Sequence, residues 1–152
     1  MAVVRKARID DVEQIYKLID HYAQQGIMLP RSRELLSRII DTFVVAEEDG
    51  VIVGVGSLCK LGDDLVEIRS LGIAEGYKGR GIGTKLVETL LEEARRLKIR
   101  QVMALTYEVP FFESNGFRVV DKGIFPEKVW TDCIYCKKRH ACDEIAVLRR
   151  LD

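Results

Sequence analysis

Apolar positions recur at two periods along this chain, and the switches between them divide it into strands and helices. Residues 3–8 read as a first strand. Val12, Ile15, Tyr16, Ile19 and Tyr22 fall at helical spacing, which predicts an amphipathic helix stopping near Gly26. Asp10-Asp11-Val12-Glu13 at its start resembles a capping box. A short second helix is predicted over 33–40. Residues 42–47 and 51–59 are β-branched runs around Glu48-Asp49-Gly50, the pattern of a hairpin. Residues 65–73 make a third long strand. From about Gly81 to Lys98 a helix sets Leu86, Leu90, Leu91, Ala94 and Leu97 on one face, with Arg95, Arg96 and Lys98 suiting its C-terminal end. A buried strand over 102–106, a short helix over 110–115 ended by Gly116, a strand over 117–120 and a closing strand over 144–151 complete the pattern. Without repeats, low-complexity segments or a linker, this reads as a single mixed α/β domain over 1–152.

Composition narrows the partners. With 152 residues, one domain with a real core is expected. Lys plus Arg equals Asp plus Glu at 24 each, so no global basic field recommends nucleic acid or an anionic membrane. Residues 1–11 lack the apolar centre of a signal peptide, and the run 51–59 is too short and glycine-broken to span a bilayer. A cytoplasmic protein with reduced thiols is the expectation.

Chemistry enters at residues 67–84, EIRSLGIAEGYKGRGIGT. A strand feeds a loop with Gly76, Gly79, Gly81 and Gly83, and the loop opens a helix. Such a turn points unpaired backbone N–H groups outward at the positive end of the helix dipole, which makes a seat for a phosphate or pyrophosphate. The plainer reading is a tight turn whose glycines relieve steric strain. A Walker loop would need Gly-Lys-Ser/Thr after four spacers, and it is absent. A dinucleotide fingerprint needs an acidic residue about twenty positions on, at the end of a second strand, where this chain is still helical.

Lys78-x-x-Gly81-x-Gly83 between a strand and a helix resembles the Arg/Gln-x-x-Gly-x-Gly/Ala signature of the GNAT family of acyl-CoA-dependent N-acetyltransferases, with Lys replacing Arg or Gln. Leu71-Gly72-Ile73 resembles the strand end that pairs with the pantetheine arm, and 111–117, FFESNGF, the family's helix and Gly-Phe turn. The resemblance implies a mostly antiparallel central sheet flanked by helices. It also implies acetyl-CoA as co-substrate, with pyrophosphate donors from Gly79, Arg80, Gly81, Ile82, Gly83 and Thr84 and added charge from Lys78 and Arg80.

The segment 25–34, QGIMLPRSRE, resembles the acceptor loop of bacterial N-acetylglutamate synthases, as do Glu67-Ile68-x-x-Leu71, Leu105-Thr106 and Pro126-Glu127-Lys128. That resemblance implies amino-acid binding at Leu29 and Arg31 and an entry step of arginine biosynthesis; the synthases commonly add an amino-acid kinase domain, and a stand-alone domain is the expectation for this chain. A guanidinium suits this role because it clamps a carboxylate through two parallel hydrogen bonds. Glutamate brings two carboxylates, so a second cation is wanted; Arg69, beside Ser70, is the candidate, with Arg33 behind it. Transfer from a thioester to an amine needs a base, and the leaving thiolate benefits from a donor. Glu67 is the candidate base: strand alternation puts Glu67, Arg69 and Leu71 on one face. Its alternative is a structural pair with Arg69. Phe112 stands where many GNAT enzymes carry a proton-donating Tyr, so Thr106 is the candidate donor, with Tyr107 the alternative.

A cysteine-rich lobe over 130–143 holds Cys133, Cys136, His140 and Cys142, ligand types that suit structural zinc. Reduced packed thiols or a conditional disulfide are its alternatives, and Cys142-Asp143-Glu144 departs from the synthase tail. The function expected is acetyl transfer to the α-amine of L-glutamate. The rivals are a GNAT enzyme for another small amine or a protein amine, and a non-catalytic acyl-CoA-sensing module. The oligomeric state stays open, a homodimer included.

Overall fold

The computed structural model describes residues 2–125 and 144–151. Its strands are β1 (Val3–Lys6), β2 (Phe43–Glu48), β3 (Val51–Gly62), β4 (Leu65–Ile73), β5 (Gln101–Thr106), β6 (Arg118–Val120) and β7 (Ile145–Arg150). Its α-helices are α1 (Val12–Gln24), α2 (Arg33–Arg38), α3 (Ile82–Arg96) and α4 (Val109–Ser114). The strands form a sheet in the order β1-β2-β3-β4-β5-β7-β6. β4 and β5, joined through α3, pair in parallel; β1–β2, β2–β3, β5–β7 and β6–β7 pair antiparallel. This is the mixed α/β, mostly antiparallel architecture the sequence predicts. Among the described residues no helix is long and apolar enough to cross a membrane.

The chain divides into two compact units, Met1–Cys59 with Ile68–Glu93 and Lys60–Glu67 with Ala94–Asp152. In the first, Ile15, Ile19, Leu36, Phe43, Val45, Ile52 and Val55 bury together, which joins α1 and α2 to the β2–β3 hairpin. The glycines inside β3 mark close approach rather than a weak strand. A Cβ at Gly54 would stand 2.9 Å from Leu86 Cδ1, and one at Gly56 would stand 3.1 Å from Leu90 Cδ1. The α3 stripe therefore presses directly on strand backbone.

The start of α1 differs from the predicted capping box. Asp11 makes no cap bond to the helix. Its carboxylate turns back to accept from the Arg5 guanidinium and the Arg8 amide. Glu13 instead receives both Nε and Nη2 of Arg33, at 2.7 and 3.0 Å.

The second unit is built around β5. Leu65, Val66 and Glu67 pair with Gln101, Val102 and Met103 on one side, and β7 pairs along the whole strand on the other. Met103, Phe125, Ala146 and Leu148 form its core. At its start α3 ends earlier than the apolar spacing predicts. Lys98 adopts φ +62°, its amide donates to the Arg95 carbonyl, and the Ile99 amide donates to the Ala94 carbonyl. That paired closure turns the chain out of the helix, leaving Leu97 50% exposed while Ile99 is 3% exposed. Leu97 thus leaves the predicted buried face.

Candidate functional site

The glycine loop, in the first unit, behaves as its composition predicts. Gly76, Gly79 and Gly81 take φ of +86°, +78° and +80°, which L-residues adopt only with strain. No heavy atom lies within 4 Å of where a Cβ would stand at any of the three. The loop backbone is therefore accessible, and it leads into Ile82, the first residue of a 15-residue helix whose dipole favours an anion. Gly83 and Thr84 lie inside α3, so their contribution is helix N-terminal amides rather than turn geometry. Lys78 Nζ stands 3.9 Å from Glu75 Oε1, and Arg80 Nη1 stands 3.8 Å from Glu48 Oε2. Both cations are more than half exposed beside the loop, Lys78 over the Tyr22 ring and Arg80 over the Tyr77 ring.

Strand β4 leads into this loop. Ser70, in its middle, has φ +55°, a conformation that costs a non-glycine residue about 1–3 kcal/mol. A left-handed residue breaks period-two alternation where it sits. The regular alternation that predicts one face for Glu67, Arg69 and Leu71 therefore does not carry past Ser70 to Leu71. The Arg69 carbonyl just before the break accepts from Ser57 Oγ at 3.0 Å, so buried Ser57 supports the distortion. Beyond it, Leu71 Cδ1 and Ile73 Cδ1 lie against the β3 glycines under α3. Gly72 faces the other way: a Cβ there would stand 3.1 Å from Met28 Cε and 3.4 Å from the Tyr22 ring.

Met28 belongs to the segment that the sequence singles out for the acceptor. The structure thus brings that segment against the end of β4, within the first unit. Leu29 and Arg31 are half-buried. Ser32 caps α2, its Oγ accepting from the Leu35 amide at 3.1 Å. Arg33, the reserve cation, forks onto Glu13 and lies with Cζ 4.0 Å from the Tyr16 ring centroid, committing it to bracing α1.

The proton-transfer candidates occupy the second unit. Glu67 is 7% exposed and stands opposite Met103 in the parallel ladder. Thr106 ends β5 and is 6% exposed; its Oγ1 accepts from the Glu108 amide at 2.7 Å. That bond uses the oxygen as acceptor and leaves the hydroxyl proton for another partner. Tyr107, next along, is 37% exposed. Phe112 packs edge-on against Phe111 and Phe117 and serves the core.

Cys133, Cys136, His140 and Cys142, with the rest of the lobe, lie outside the described residues. Among the described residues no group of three or more His, Cys, Asp or Glu side chains is placed to hold a metal. Sequence reasoning missed Tyr22, Met28 and Ser57. Tyr22 counted only as part of the apolar stripe of α1; the available signal was its hydroxyl, which when buried needs a partner.

The family model described as the acetyltransferase (GNAT) family matches residues 9–117. An N-acetyltransferase of Chlorobaculum tepidum whose activity is uncharacterized is 38% identical, the match covering 97% of this chain and 96% of that protein. An amino-acid acetyltransferase of Mycobacterium tuberculosis is 39% identical over 78% of this chain and 70% of its own length. Among solved structures, the N-acetylglutamate synthase of Neisseria gonorrhoeae, complexed with coenzyme A and N-acetyl-glutamate, superposes with a TM-score of 0.88 at 28% identity. That likeness covers 100% of this chain and 35% of the synthase. A Mycobacterium tuberculosis protein solved with CoA gives a TM-score of 0.87 at 33% identity, over 99% of both chains. By its family match, its relatives and its glycine loop, the chain belongs to the GNAT family of acetyltransferases.

Proposed function

We propose that this enzyme moves the acetyl group of acetyl-CoA to the α-amino group of L-glutamate. The observation that carries the cofactor half is the open loop: three exposed, left-handed glycines leading into the N-terminus of α3. In this reading the pyrophosphate is held by main-chain N–H groups of residues 79–84 with charge from Lys78 and Arg80. The pantetheine arm lies along Leu71, Gly72 and Ile73. The acceptor half is supported by the amino-acid acetyltransferase of M. tuberculosis and by the synthase solved with N-acetyl-glutamate. Leu29, Arg31, Arg69 and Ser70 form the acceptor subsite, with the two guanidinium groups on the two carboxylates. This reaction belongs to amino-acid biosynthesis in the cytoplasm, on the arginine route.

Glu67 takes a proton from the ammonium group of the acceptor. The free amine attacks the thioester carbonyl, a C–N bond forms, the C–S bond breaks, and the new amide nitrogen gives up its second proton to solvent. The thiolate then receives a proton from the Thr106 hydroxyl, with Tyr107 as the alternative donor, and solvent restores that donor.

A thiol-release assay across the twenty amino acids tests this. Glutamate is expected to give the highest kcat/KM. Glu67→Gln should lower kcat by about 10²-fold or more while leaving the Kd for acetyl-CoA unchanged. Preference for an acceptor without a side-chain carboxylate would replace the glutamate assignment, and a variant with unaltered kcat would remove Glu67 as base.

A further inference from the structure

We propose that Tyr22 positions both substrates, holding the end of the cofactor strand with its side chain and the start of the acceptor segment with its backbone and ring. The proposal rests on the reading above, in which the acyl-CoA arm lies along Leu71, Gly72 and Ile73.

The backbone half is set by hydrogen bonds that close α1. The Tyr22 carbonyl accepts from the amides of Gln25 at 3.1 Å and Ile27 at 3.2 Å. Between them Gly26 takes φ +75°, which turns the chain from the helix into the acceptor segment. Tyr22 is thus the anchor from which residues 27–31 depart.

The side-chain half reaches the opposite substrate. The Tyr22 hydroxyl donates to the Ile73 carbonyl, the last residue of β4, and lies 3.3 Å from Glu75 Oε1 in the loop that follows. Its ring, together with Met28 Cε, fills the space a Cβ would take at Gly72. Above the same ring stands Lys78 Nζ, 5.0 Å from the centroid, at the start of the glycine motif. Burial holds the phenol pKa above its ordinary value, with Lys78 opposing, so at neutral pH the hydroxyl is a donor. One residue, 4% exposed, therefore touches the strand end, the loop cation and the acceptor segment. Sites joined through a shared element influence each other's ligand affinity reciprocally.

The test uses the full chain with acetyl-CoA and the best amino-acid acceptor of the panel, comparing wild type, Tyr22→Phe and Tyr22→Leu by steady-state kinetics and acetyl-CoA calorimetry. Tyr22→Phe loses only the hydroxyl and should raise KM and Kd for acetyl-CoA about fivefold, the loss of one net hydrogen bond, with acceptor KM and kcat within about twofold of wild type. Tyr22→Leu also loses the ring that fills, with Met28, the space beside Gly72, and should raise the acceptor KM as well. A merely structural tyrosine would lower the active fraction, cutting apparent kcat with both KM values unchanged. That result, or a Tyr22→Phe enzyme with wild-type constants, overturns the proposal while acetyl-CoA binding by the wild type still stands. No acetyl-CoA binding by the wild type overturns the cofactor reading and this proposal with it.

Discussion

Asp11 shows how a single buried carboxylate redirects a local motif. Its oxygens accept from Arg5 Nη1 at 2.8 Å, Arg5 Nη2 at 3.0 Å and the Arg8 amide at 2.7 Å. Arg5 reaches Glu47 as well, at 3.3 Å. These bonds, led by the one to Arg5, hold the Asp11 carboxyl below its ordinary pKa despite its burial, and they raise that of the guanidinium. A group whose folded pKa is depressed stabilises the fold above its unfolded pKa and loses that contribution as pH falls through the folded value. The stabilisation should therefore be complete at pH 7 and should drain away below about pH 4. Asp11→Asn is expected to cost about 2–3 kcal/mol at pH 7, since it leaves a half-buried guanidinium with a weaker partner. Urea unfolding at pH 7 and near pH 3 would check this. A gap between wild type and variant that stays constant with pH would show that the pair is not the source. The sequence showed two aspartates before a helix, which suits a cap. What it could not show is that the strand six residues earlier presents a competing guanidinium.

At the scale of elements, regular stretches were legible, and terminations only where a glycine marks them, as Gly26 does after α1 and Gly116 after α4. The α3 stripe of Leu86, Leu90, Leu91 and Ala94 is buried as the 3.6-residue period requires. The period says nothing about where a helix stops when no glycine or proline marks the end. Here Lys98 takes the left-handed position that glycine normally occupies, at φ +62°. Lys98→Gly should remove about 1 kcal/mol of strain and raise Tm by about 2–4 °C for a chain of this size. Thermal unfolding measures it directly, and an unchanged or lower Tm would mean that Lys98 is held without cost. The candidate site divides in the same way. The glycine loop was readable because glycine identity reports backbone conformation. Ser70 carries the same conformation with an ordinary side chain, so the break in β4 left no mark in the sequence. Nor did the contact of Met28 with Gly72, which depends on tertiary packing between segments far apart in the chain.

For the whole molecule, the division into two units sets the residues proposed for binding apart from those proposed for catalysis along the sequence. The boundaries fall between Cys59 and Lys60 in β3, between Glu67 and Ile68 in β4 and between Glu93 and Ala94 in α3. The residues proposed for the cofactor and the acceptor all lie in the first unit, whereas Glu67, Thr106 and Tyr107 lie in the second. Binding of acetyl-CoA should therefore be readable in the first unit even when catalysis is abolished in the second. Ligand at about 100 times its Kd adds about 2.7 kcal/mol against openings that release it, which slows exchange of the amides concerned about 100-fold. Hydrogen exchange is expected to slow in residues 76–84 when acetyl-CoA is added, since those backbone amides become donors to the pyrophosphate. The same slowing should appear in Glu67→Gln, because that substitution removes the proposed base and leaves the residues proposed for acetyl-CoA in place. Adding the amino-acid acceptor as well should extend protection to residues 25–31, the segment that Tyr22 anchors. An active wild-type enzyme whose amides at 76–84 exchange at the same rate with and without acetyl-CoA would place the cofactor elsewhere and leave the open glycine loop as a turn.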